Sequence, residues 1–402
     1  KFFDALNASD ATGNVLVTAT GSALDNIQLG SGNDRIFNNV AQDAVIDGGD
    51  GEDAVYLTGA NGPYALSTTN LETVGINGNS GKVTLIGAEM DGVENLTLSG
   101  TANFNNGGVV LGEFANSALN VRAEHSNSAD LTIADISDIS LTVGDGKRGT
   151  SDDFTGNLKL DASSLSITTE DVSQPNQVKF DSAVDADNVT DLSLNAGRNS
   201  SLTVNGGDLS QVSSLTAAGY GHIDLKAASA LGTEAQNVYV DTTQMSNGKF
   251  TAAFVDNNTT GAVFNLVGSN LADHNIKVGT SYDSITVSTG MGADTVEVVA
   301  EDGVALDISK MDIDLGGGNN GVIINGKVAN GWDFSDWKGV NRISFTPDSG
   351  ISQADQAAIA GQLGISVDNV IVNGQDSGTK DNPIQLPSSV LEGGFPVTVP
   401  AG

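Results

Sequence analysis

Short runs of alternating apolar and polar residues recur along nearly the whole chain. Typical runs are Val93-Glu-Asn-Leu-Thr-Leu98, Ile139-Ser-Leu-Thr-Val143 and Val263-Phe-Asn-Leu-Val267, and Gly, Asn, Ser and Asp separate them. Alternation with a period of two predicts strands that bury one face. The strands are short and recur at intervals of roughly 10 to 20 residues, which favours stacked solenoid coils over the longer strands of an immunoglobulin-like sandwich. A β-sandwich stays open as an alternative for part of the chain.

The same alternation predicts the remaining strands of this central region. They are Leu71–Ile76, Lys82–Ile86, Leu119–Val121, Leu131–Ile133, Leu158–Leu160, Leu165–Ile167, Val189–Leu194, Leu202–Val204, Ile223–Leu225, Val238–Val240 and Ile276–Val278.

The C-terminal region has a different pattern. Ser352-Gln-Ala-Asp355 resembles a capping box and predicts a helix over Gln353–Leu363 that stops at Gly364, followed by a strand over Val367–Val372. Just upstream lie four of the few aromatic residues, which we interpret as a segment covering the open end of the solenoid: Trp332, Phe334, Trp337 and Phe345.

A glycine- and aspartate-rich repeat occupies the N-terminal segment, GSALDNIQLGSGNDRIFNNVAQDAVIDGGDGEDAVYL. Its Asp residues recur at intervals of nine, nine and ten: Asp25, Asp34, Asp43 and Asp53. The copy GGDGEDAVY meets every fixed position of the nonapeptide G-G-x-G-x-D-x-U-x, in which U is a large aliphatic residue. The glycines allow positive φ angles and tight curvature. The aliphatic residue two places after the Asp, as in Ile36, Val45 and Val55, is predicted to point inward from a short strand.

Two such nonapeptides complete one coil of a parallel β-roll, so residues about eighteen apart are predicted to stack. Asp34 then pairs with Asp53 on one edge, and Asp25 pairs with Asp43 on the other. The turns LGSGND and GGDGED keep their glycines and are predicted to hold calcium through carboxylate and carbonyl oxygens. TGSALD and NNVAQD have lost several glycines, which predicts a weak or empty site. The predicted ligand positions are Asp25, Gly30, Gly32, Asp34, Asp43, Gly48, Gly49, Gly51 and Asp53.

A second and less regular cluster lies later in the chain. Its copies are GTSYDSI and GMGADTV, eleven residues apart, and GGGNNGV, in which Asn replaces the Asp and keeps an oxygen but no charge. Glycine- and aspartate-rich runs also form ordinary turns without a bound ion, and that alternative stays open here because the period is broken. The candidate positions are Gly279, Asp283, Gly290, Gly292, Asp294 and Asn320.

Composition agrees with a cation-binding surface and argues against several other partners. The 402 residues include 50 Gly, no Cys and a formal net charge of −33. Phosphate binding requires Lys and Arg, and there are 17 of them, so we expect no nucleic-acid partner. The acidic surface also repels anionic lipid, and the sequence holds no apolar run of about 20 residues, so no membrane insertion is predicted. Bound calcium is expected to contribute to folding by relieving repulsion between carboxylates.

Motifs for catalysis are absent from the sequence. It has no G-x-S-x-G, P-loop or dinucleotide-binding fingerprint, and its three histidines, His125, His222 and His274, stand in polar contexts that predict surface positions. We therefore predict that the chain is not an enzyme. A polysaccharide lyase or epimerase is the weaker alternative, because some of these enzymes are calcium-containing β-solenoids; its cationic clamp is not evident, since Lys147-Arg148 is interpreted as a solvated turn.

The nonapeptides LGSGNDRIF and GGDGEDAVY resemble RTX, or hemolysin-type, calcium-binding repeats. The coils with phrases such as ENLTLSG resemble RTX-type surface-layer proteins of Gram-negative bacteria. This resemblance implies a secreted, extracellular protein of the cell surface that assembles with itself through calcium into a lattice or filament. An RTX adhesin or carbohydrate-binding segment stays open, with cell-surface polysaccharide as a second candidate partner.

The predicted fold is all-β, a calcium-binding parallel β-roll or β-solenoid with a small C-terminal α/β cap. Its predicted regions are calcium-binding repeats in residues 1–60, a degenerate solenoid in 61–275, a second repeat-like segment in 276–330 and a capping region in 331–402. Acidic clusters predicted to face a neighbouring copy through calcium are Asp50–Asp53, Asp152–Asp153 and Asp185–Asp187.

Overall fold

The computed structural model describes residues 4–372 apart from residues 59–61, 78–82, 87–89, 91, 100–108, 113–117, 126–127, 129, 148, 226–230, 256, 258, 260 and 302. The end of the predicted capping region, residues 373–402, therefore lies outside the described chain.

The chain winds into a β-solenoid of about 14 turns, and its strands form two long sheets in which every recorded strand pairing is parallel. In sheet order, sheet 1 contains β1 (Ala5–Asn7), β2 (Leu16–Gln28), β3 (Arg35–Asp47), β4 (Ala54–Thr58), β7 (Thr73–Asn77), β9 (Asn95–Ser99), β11 (Ala118–Ala123), β13 (Asp138–Val143), β16 (Ser164–Thr169), β18 (Asp191–Ala196), β20 (Ser214–Gly219), β22 (Asn237–Met245), β24 (Val263–Val267), β26 (Ser284–Ser288) and β28 (Met311–Asp314), with β6 (Ser67–Thr69) paired to the second half of β3.

Sheet 2 contains β5 (Gly62–Tyr64), β8 (Val83–Ile86), β10 (Val109–Gly112), β12 (Leu131–Ile133), β15 (Leu158–Leu160), β17 (Val178–Asp185), β19 (Ser200–Gly206), β21 (His222–Leu225), β23 (Lys249–Phe254), β25 (Asp273–Gly279), β27 (Thr295–Val299), β29 (Gly321–Asn325), β30 (Arg342–Phe345) and β31 (Val370–Val372), with β14 (Asp152–Phe154) also paired to β17. The prediction of a parallel, nearly all-β solenoid is confirmed.

Inward side chains stack in columns, one from each coil. In sheet 2 the register places five buried apolar residues above one another: Phe154, Phe180, Leu202, Ile223 and Phe250. The rings of Phe154 and Phe180 are stacked with nearly parallel planes, and their centroids are 5.7 Å apart. Because each coil buries its apolar face only against its neighbours, the alternation seen in the sequence is what the stacked core requires.

The first coils differ from two regular nonapeptides. β2 and β3 are each 13 residues long, and their register shifts between Ala19 and Asn26. In β3, Ala44 and Ile46 are buried, whereas Val45 between them is 50% exposed. The prediction that Val45 points inward is therefore wrong, because the strand alternates in the opposite phase from the repeat.

The C-terminal helix begins as predicted. A 3₁₀ turn over Gln353–Asp355 leads into α1 (Gln356–Leu363), and Gly364 ends it with a φ of 68°. The Asp355 carboxylate accepts hydrogen bonds from Ser352 N at 2.9 Å and Ser352 Oγ at 2.7 Å. The predicted final strand was too long, since residues 367–369 form a second 3₁₀ turn before β31.

Part of the aromatic segment packs over the last strand of sheet 1. Phe334, Trp337 and Phe345 are buried, and the Phe334 ring meets Trp337 edge-on with centroids 4.9 Å apart. Trp337 Nε1 donates to the carbonyl oxygen of Met311 in β28 at 3.1 Å. The last strand of sheet 1 is thus covered at its outer edge.

The two sheets run through the predicted regional boundaries, and the boundary between 275 and 276 falls inside β25. Among the described residues, no helix has the length and apolar character needed to cross a membrane.

Candidate metal centre in the glycine-aspartate turns

The two predicted calcium-binding clusters lie on opposite edges of the solenoid. Asp34 and Asp53 directly precede β3 and β4 of sheet 1. Asp294 and Asn320 directly precede β27 and β29 of sheet 2. The structure therefore forms two separate groups of turns. We name them the N-terminal ladder (Val15, Asp34, Asp53, Glu72) and the C-terminal ladder (His274, Asp294, Asn320, Asn341).

In the N-terminal ladder, each carboxylate accepts a backbone hydrogen bond from the preceding coil. Val15 N donates to Asp34 Oδ1 at 2.7 Å, Asp34 N donates to Asp53 Oδ1 at 2.8 Å, and Asp53 N donates to Glu72 Oε2 at 2.7 Å. The predicted stacking of Asp34 on Asp53 is confirmed, with a coil of 19 residues. Glu72 was missed, although it follows Asp53 at the same interval.

The second oxygen of each aspartate lacks a partner. Asp34 and Asp53 are only 0% and 1% exposed, and their Oδ2 atoms are buried without a hydrogen bond. Burial is the main reason why the pKa of Asp53 is raised to about 6. The hydrogen bond from Asp34 N lowers the pKa, whereas the neighbouring carboxylates of Asp34, Glu72 and Glu52 raise it further. A buried charged oxygen without a partner is costly, and a bound cation would relieve that cost.

The glycines of these turns form columns in which a side chain has no room. A Cβ atom on Gly49 would lie 1.9 Å from the carbonyl oxygen of Gly30, and one on Gly51 would lie 2.0 Å from that of Gly32. A Cβ on Gly48 would lie 2.7 Å from Asp53 Oδ2, so the unpartnered oxygen faces the first glycine of its own turn. The glycines thus bring backbone oxygens of successive coils close together.

The C-terminal ladder repeats this hydrogen-bonding pattern. His274 N donates to Asp294 Oδ1 at 2.8 Å, Asp294 N donates to Asn320 Oδ1 at 2.9 Å, and Asn320 N donates to Asn341 Oδ1 at 2.7 Å. Gly290 and Gly292 stack under Gly316 and Gly318, whose Cβ atoms would lie 2.1 and 1.9 Å from the glycine carbonyl oxygens below. Asp294 Oδ2 and, in the same turn, Thr289 Oγ1 are buried without partners.

The Asn320 side chain shows which backbone atoms surround the centre of such a turn. Its Nδ2 donates to the carbonyl oxygens of Leu315, Gly317 and Gly339 at 2.8, 3.1 and 3.1 Å. Three backbone oxygens therefore converge on one point, where the amide supplies the positive end of a dipole. The turns Leu29–Asp34 and Thr289–Asp294 have the same length and glycine positions as Leu315–Asn320, but each ends in a carboxylate.

Carboxylate and carbonyl oxygens around one point are the ligands that calcium takes in proteins, so the residues present fit a calcium ion. The candidate ligands are Asp34, Asp53 and Asp294 with the backbone of their turns. Within the described ranges, no three Asp, Glu or His side chains lie close enough together to hold a metal by themselves. Backbone oxygens would therefore supply much of the coordination.

His274 is not the surface residue that its polar surroundings predicted. It is buried in the column that contains Phe250, with Nδ1 2.9 Å from Asp294 Oδ1 and Nε2 2.7 Å from Thr242 Oγ1. The order hydroxyl, imidazole, carboxylate is that of a nucleophile with its base, yet all three side chains are buried. The network orients the Asp294 carboxylate. The Thr242 hydroxyl is buried and is not accessible to a substrate in this structure.

Four predicted ligand positions lie outside both ladders. Asp25 and Asp43 are exposed within β2 and β3, and the structure does not gather them into a turn. Gly279 ends β25. Asp283 is exposed beside β26, on the opposite edge from Asp294, and its Oδ1 lies 3.1 Å from Lys310 Nζ. The remaining predicted glycines, with Asp34, Asp53, Asp294 and Asn320, lie in the ladder turns.

Comparison of the chain with protein-family models, with curated proteins and with solved structures finds no match in any of the three.

Proposed function

We propose that this chain is a structural protein, a calcium-stabilised β-solenoid that assembles with copies of itself outside the cell. The observation that supports this proposal is the set of buried, unpartnered carboxylate oxygens in glycine turns of two ladders. Calcium at these positions would neutralise the oxygens and tie successive coils together, because each ladder already links neighbouring coils through its carboxylates and amides.

The shape and charge of the molecule support self-assembly in the presence of calcium. A solenoid of about 14 turns offers long side faces for lateral packing, and its net charge of −33 opposes close approach of two copies. Calcium bound between exposed carboxylates would remove that repulsion. The exposed candidates are Asp50, Glu52, Asp185 and Asp187.

Two residues of the predicted contact clusters do not suit that role. Asp53 and Asp152 are each 1% exposed, so neither carboxylate reaches a neighbouring copy. Asp53 belongs to the N-terminal ladder, and Asp152 opens β14 with its Oδ2 accepting a hydrogen bond from Asp145 N at 3.0 Å.

The proposed location is the bacterial cell surface, and the proposed assembly is a surface-layer lattice or a filament. Support comes from the likeness of the two nonapeptides to RTX repeats together with the ladder geometry. An adhesin built on the same fold would use calcium to stiffen a monomeric rod, so the state of assembly separates the two functions.

The test is a calcium titration of the EGTA-treated protein, followed by circular dichroism, sedimentation velocity and negative-stain electron microscopy. We expect calcium to raise thermal stability and to produce ordered sheets or filaments. Asp34→Ala/Asp53→Ala should lose most of both responses. Asp25→Ala/Asp43→Ala removes the same charge from exposed positions and should keep them.

Each outcome has a definite meaning. A calcium response that the ladder variant loses and the exposed variant keeps supports calcium in the N-terminal ladder. Stabilisation without assembly at any protein concentration would favour the adhesin. Stability and assembly that are indifferent to calcium would overturn the proposal.

A further inference from the structure

A step in the edge between sheets 1 and 2 creates a groove far along the chain from the N-terminal ladder. The connection from β16 to β17 spans residues 170–177, whereas the next two connections on this edge span residues 197–199 and 220–221. A long connection followed by two short ones leaves a recess beside the longer one. Two cavities of about 450 and 440 Å³ lie there and share Gln174 and Asn199, so they form one groove.

We name this recess the amide groove and define it by Gln174, Asn176, Lys179, Arg198, Asn199 and His222. Each cavity has the volume of a site for a small ligand. None of these six residues belongs to either ladder.

Hydrogen bonds between coils hold the groove in shape. Asn199 Nδ2 donates to the carbonyl oxygen of Val172 at 2.8 Å, and Val172 N donates to that of Arg198 at 3.1 Å. Asp171 Oδ1 accepts from Arg198 N at 2.5 Å. The long connection is thus fixed to the coil beneath it, and a ligand would meet walls that are already ordered.

The groove presents the groups that recognise sugars. Gln174 Nε2 donates to Asn199 Oδ1 at 3.4 Å, and Asn176 Oδ1 accepts from Ser151 Oγ at 3.5 Å. The Gln174 carbonyl oxygen and the Asn176 NH₂ group still offer an acceptor and donors, which suits neighbouring hydroxyl groups of a sugar ring. At the adjoining turn, the Arg198 guanidinium lies over the Tyr220 ring, 4.5 Å from its centroid, and the tyrosine is 46% exposed. Stacking fixes the plane of the guanidinium and leaves its edge free to donate.

Charge selects an acidic ligand. The register places Lys179 beside Ser201 and Ser201 beside His222 on the outer face of sheet 2, so Lys179 and His222 lie within about 10 Å of each other. Lys179 and Arg198 place two cationic groups around one groove in a chain whose net charge is −33. The nearby carboxylates are Asp171, which bonds the Arg198 backbone, and Asp153 and Asp181, which flank Lys179 in the sheet.

We propose that the amide groove binds an acidic oligosaccharide. A sugar carboxylate pairs with Lys179 and Arg198, and the ring hydroxyls bond the amides of the long connection. This activity is separate from the proposed assembly, because the groove lies outside the calcium turns.

The experiment measures binding of a hyaluronan hexasaccharide by isothermal titration calorimetry in calcium-containing buffer, with its carboxyl-methylated form and inorganic phosphate as comparison ligands. We expect the acidic hexasaccharide to bind. The methylated form should bind with an affinity lower by a factor of about ten or more. Lys179→Gln and Arg198→Gln should each weaken binding by a similar factor. Lys159→Gln, which removes an exposed charge from β15, should leave affinity unchanged.

Tyr220→Ala separates sugar recognition from simple attraction of an anion. It should weaken the hexasaccharide by removing the support under Arg198, with unchanged far-ultraviolet circular dichroism. Three results would overturn the proposal: no binding of the hexasaccharide, equal binding of its methylated form, or affinity that inorganic phosphate matches and Tyr220→Ala does not alter. Lost assembly with intact hexasaccharide binding would count against the proposed function alone.

Discussion

Asp294 and Asn320 occupy stacked positions in successive coils but present opposite chemistry to their turns. Asn320 donates to three converging carbonyl oxygens, whereas Asp294 leaves a buried oxygen unpartnered. We predict that Asp294→Asn raises the free energy of unfolding in EGTA by about 1–3 kcal/mol, because the new amide satisfies the turn. Asn320→Asp should lower it by a similar amount and make it depend on calcium. Denaturant unfolding with and without calcium measures both.

Asp312→Asn is the matched control, because this exposed residue of β28 lies outside the turns. Solenoids unfold in parts, so hydrogen exchange in β27 and β29 should accompany the global measurement. Lower stability of Asp294→Asn in EGTA, together with an undiminished response to calcium, would contradict a cation at this carboxylate.

Asp152 carries a pH dependence that is separate from the ladders. Burial raises its pKa, nearby Asp145 and Glu170 add to the rise, and the hydrogen bond from Asp145 N and the charge of His125 oppose it. The native state therefore takes up a proton at higher pH than the unfolded chain. The carboxylate destabilises the fold at neutral pH, and that cost disappears as pH falls through the native pKa toward about 3.9.

Asp152→Asn should accordingly raise the free energy of unfolding at pH 7 and lose this advantage near pH 4. Asp153→Asn, at the adjacent and more exposed residue, should show no such trend. Chemical denaturation at several pH values gives the difference between variant and parent, and a difference that does not change with pH would refute the assignment.

The ladder residues that fall within a nonapeptide motif could be predicted from the sequence, and those outside such a motif could not. Asp34 and Asp53 stand in near-complete nonapeptides, so their stacking was predictable. His274 and Thr242 carry no motif, because their pairing depends on which residues the coils bring together from 32 positions apart. Asp25 and Asp43 matched the period, yet the sequence could not show that their turns would become part of longer strands.

At the scale of the turn, the glycine columns set how closely coils stack. Gly51 and Gly318 have φ angles of 140° and 109°, and a Cβ atom would lie 2.0 and 1.9 Å from the carbonyl oxygen below. We predict that Gly51→Ala or Gly318→Ala lowers the free energy of unfolding by about 3 kcal/mol or more, since backbone must move. Thermal unfolding with calcium present measures the loss.

Gly361 provides a control, because its substitution by Ala is expected to raise the free energy of unfolding. It lies within α1, and nothing is within 4 Å of where its Cβ would be. Gly361→Ala should stabilise the helix by about 0.5–1 kcal/mol. Equal stability of Gly51→Ala and the parent would show that the N-terminal coils do not stack as closely as described.

Strands were predictable as elements because alternation with Gly and Asn breaks is a local property of the chain. The predicted Val263–Val267 is β24 as found, and Leu131–Ile133 is β12. β3 was not predictable as a 13-residue strand, since NNVAQD contains no glycine and continues as a strand where the repeat predicted a turn. Strand alternation then follows the longer element, and Val45 faces outward.

At the scale of the whole molecule, the two ends of the solenoid differ. The C-terminal end of sheet 1 is covered by the aromatic segment. Trp337 Nε1 donates a hydrogen bond to the Met311 carbonyl oxygen, and the backbone of Lys338 forms a parallel β-bridge with that of Asp314. At the other end, β1 pairs with β2, and its other edge has no partner strand among the described residues. A covered end and an open end of sheet 1 do not match for head-to-tail pairing of copies, which favours the side faces for the assembly proposed above.

Removing the cover should therefore change the mode of assembly. Trp337→Ala deletes a buried ring and the hydrogen bond to Met311, which exposes the edge of β28. We predict elongated oligomers that form in EGTA and grow with protein concentration, because an open β28 edge can pair with β1 of another copy. Sedimentation velocity and negative-stain microscopy distinguish them from the calcium-dependent assembly proposed for the parent.

Two controls make this prediction decisive. Trp337→Phe keeps most of the ring and should stay monomeric in EGTA, which shows that packing of the cover matters more than its hydrogen bond. Trp332→Ala removes a partly buried ring of the same segment that has no hydrogen bond to β28, and should have a smaller effect. If Trp337→Ala retains native circular dichroism and remains monomeric at every concentration, the aromatic segment is not what keeps the ends of the solenoid apart. The difference between the two ends would then have to come from strand length and charge.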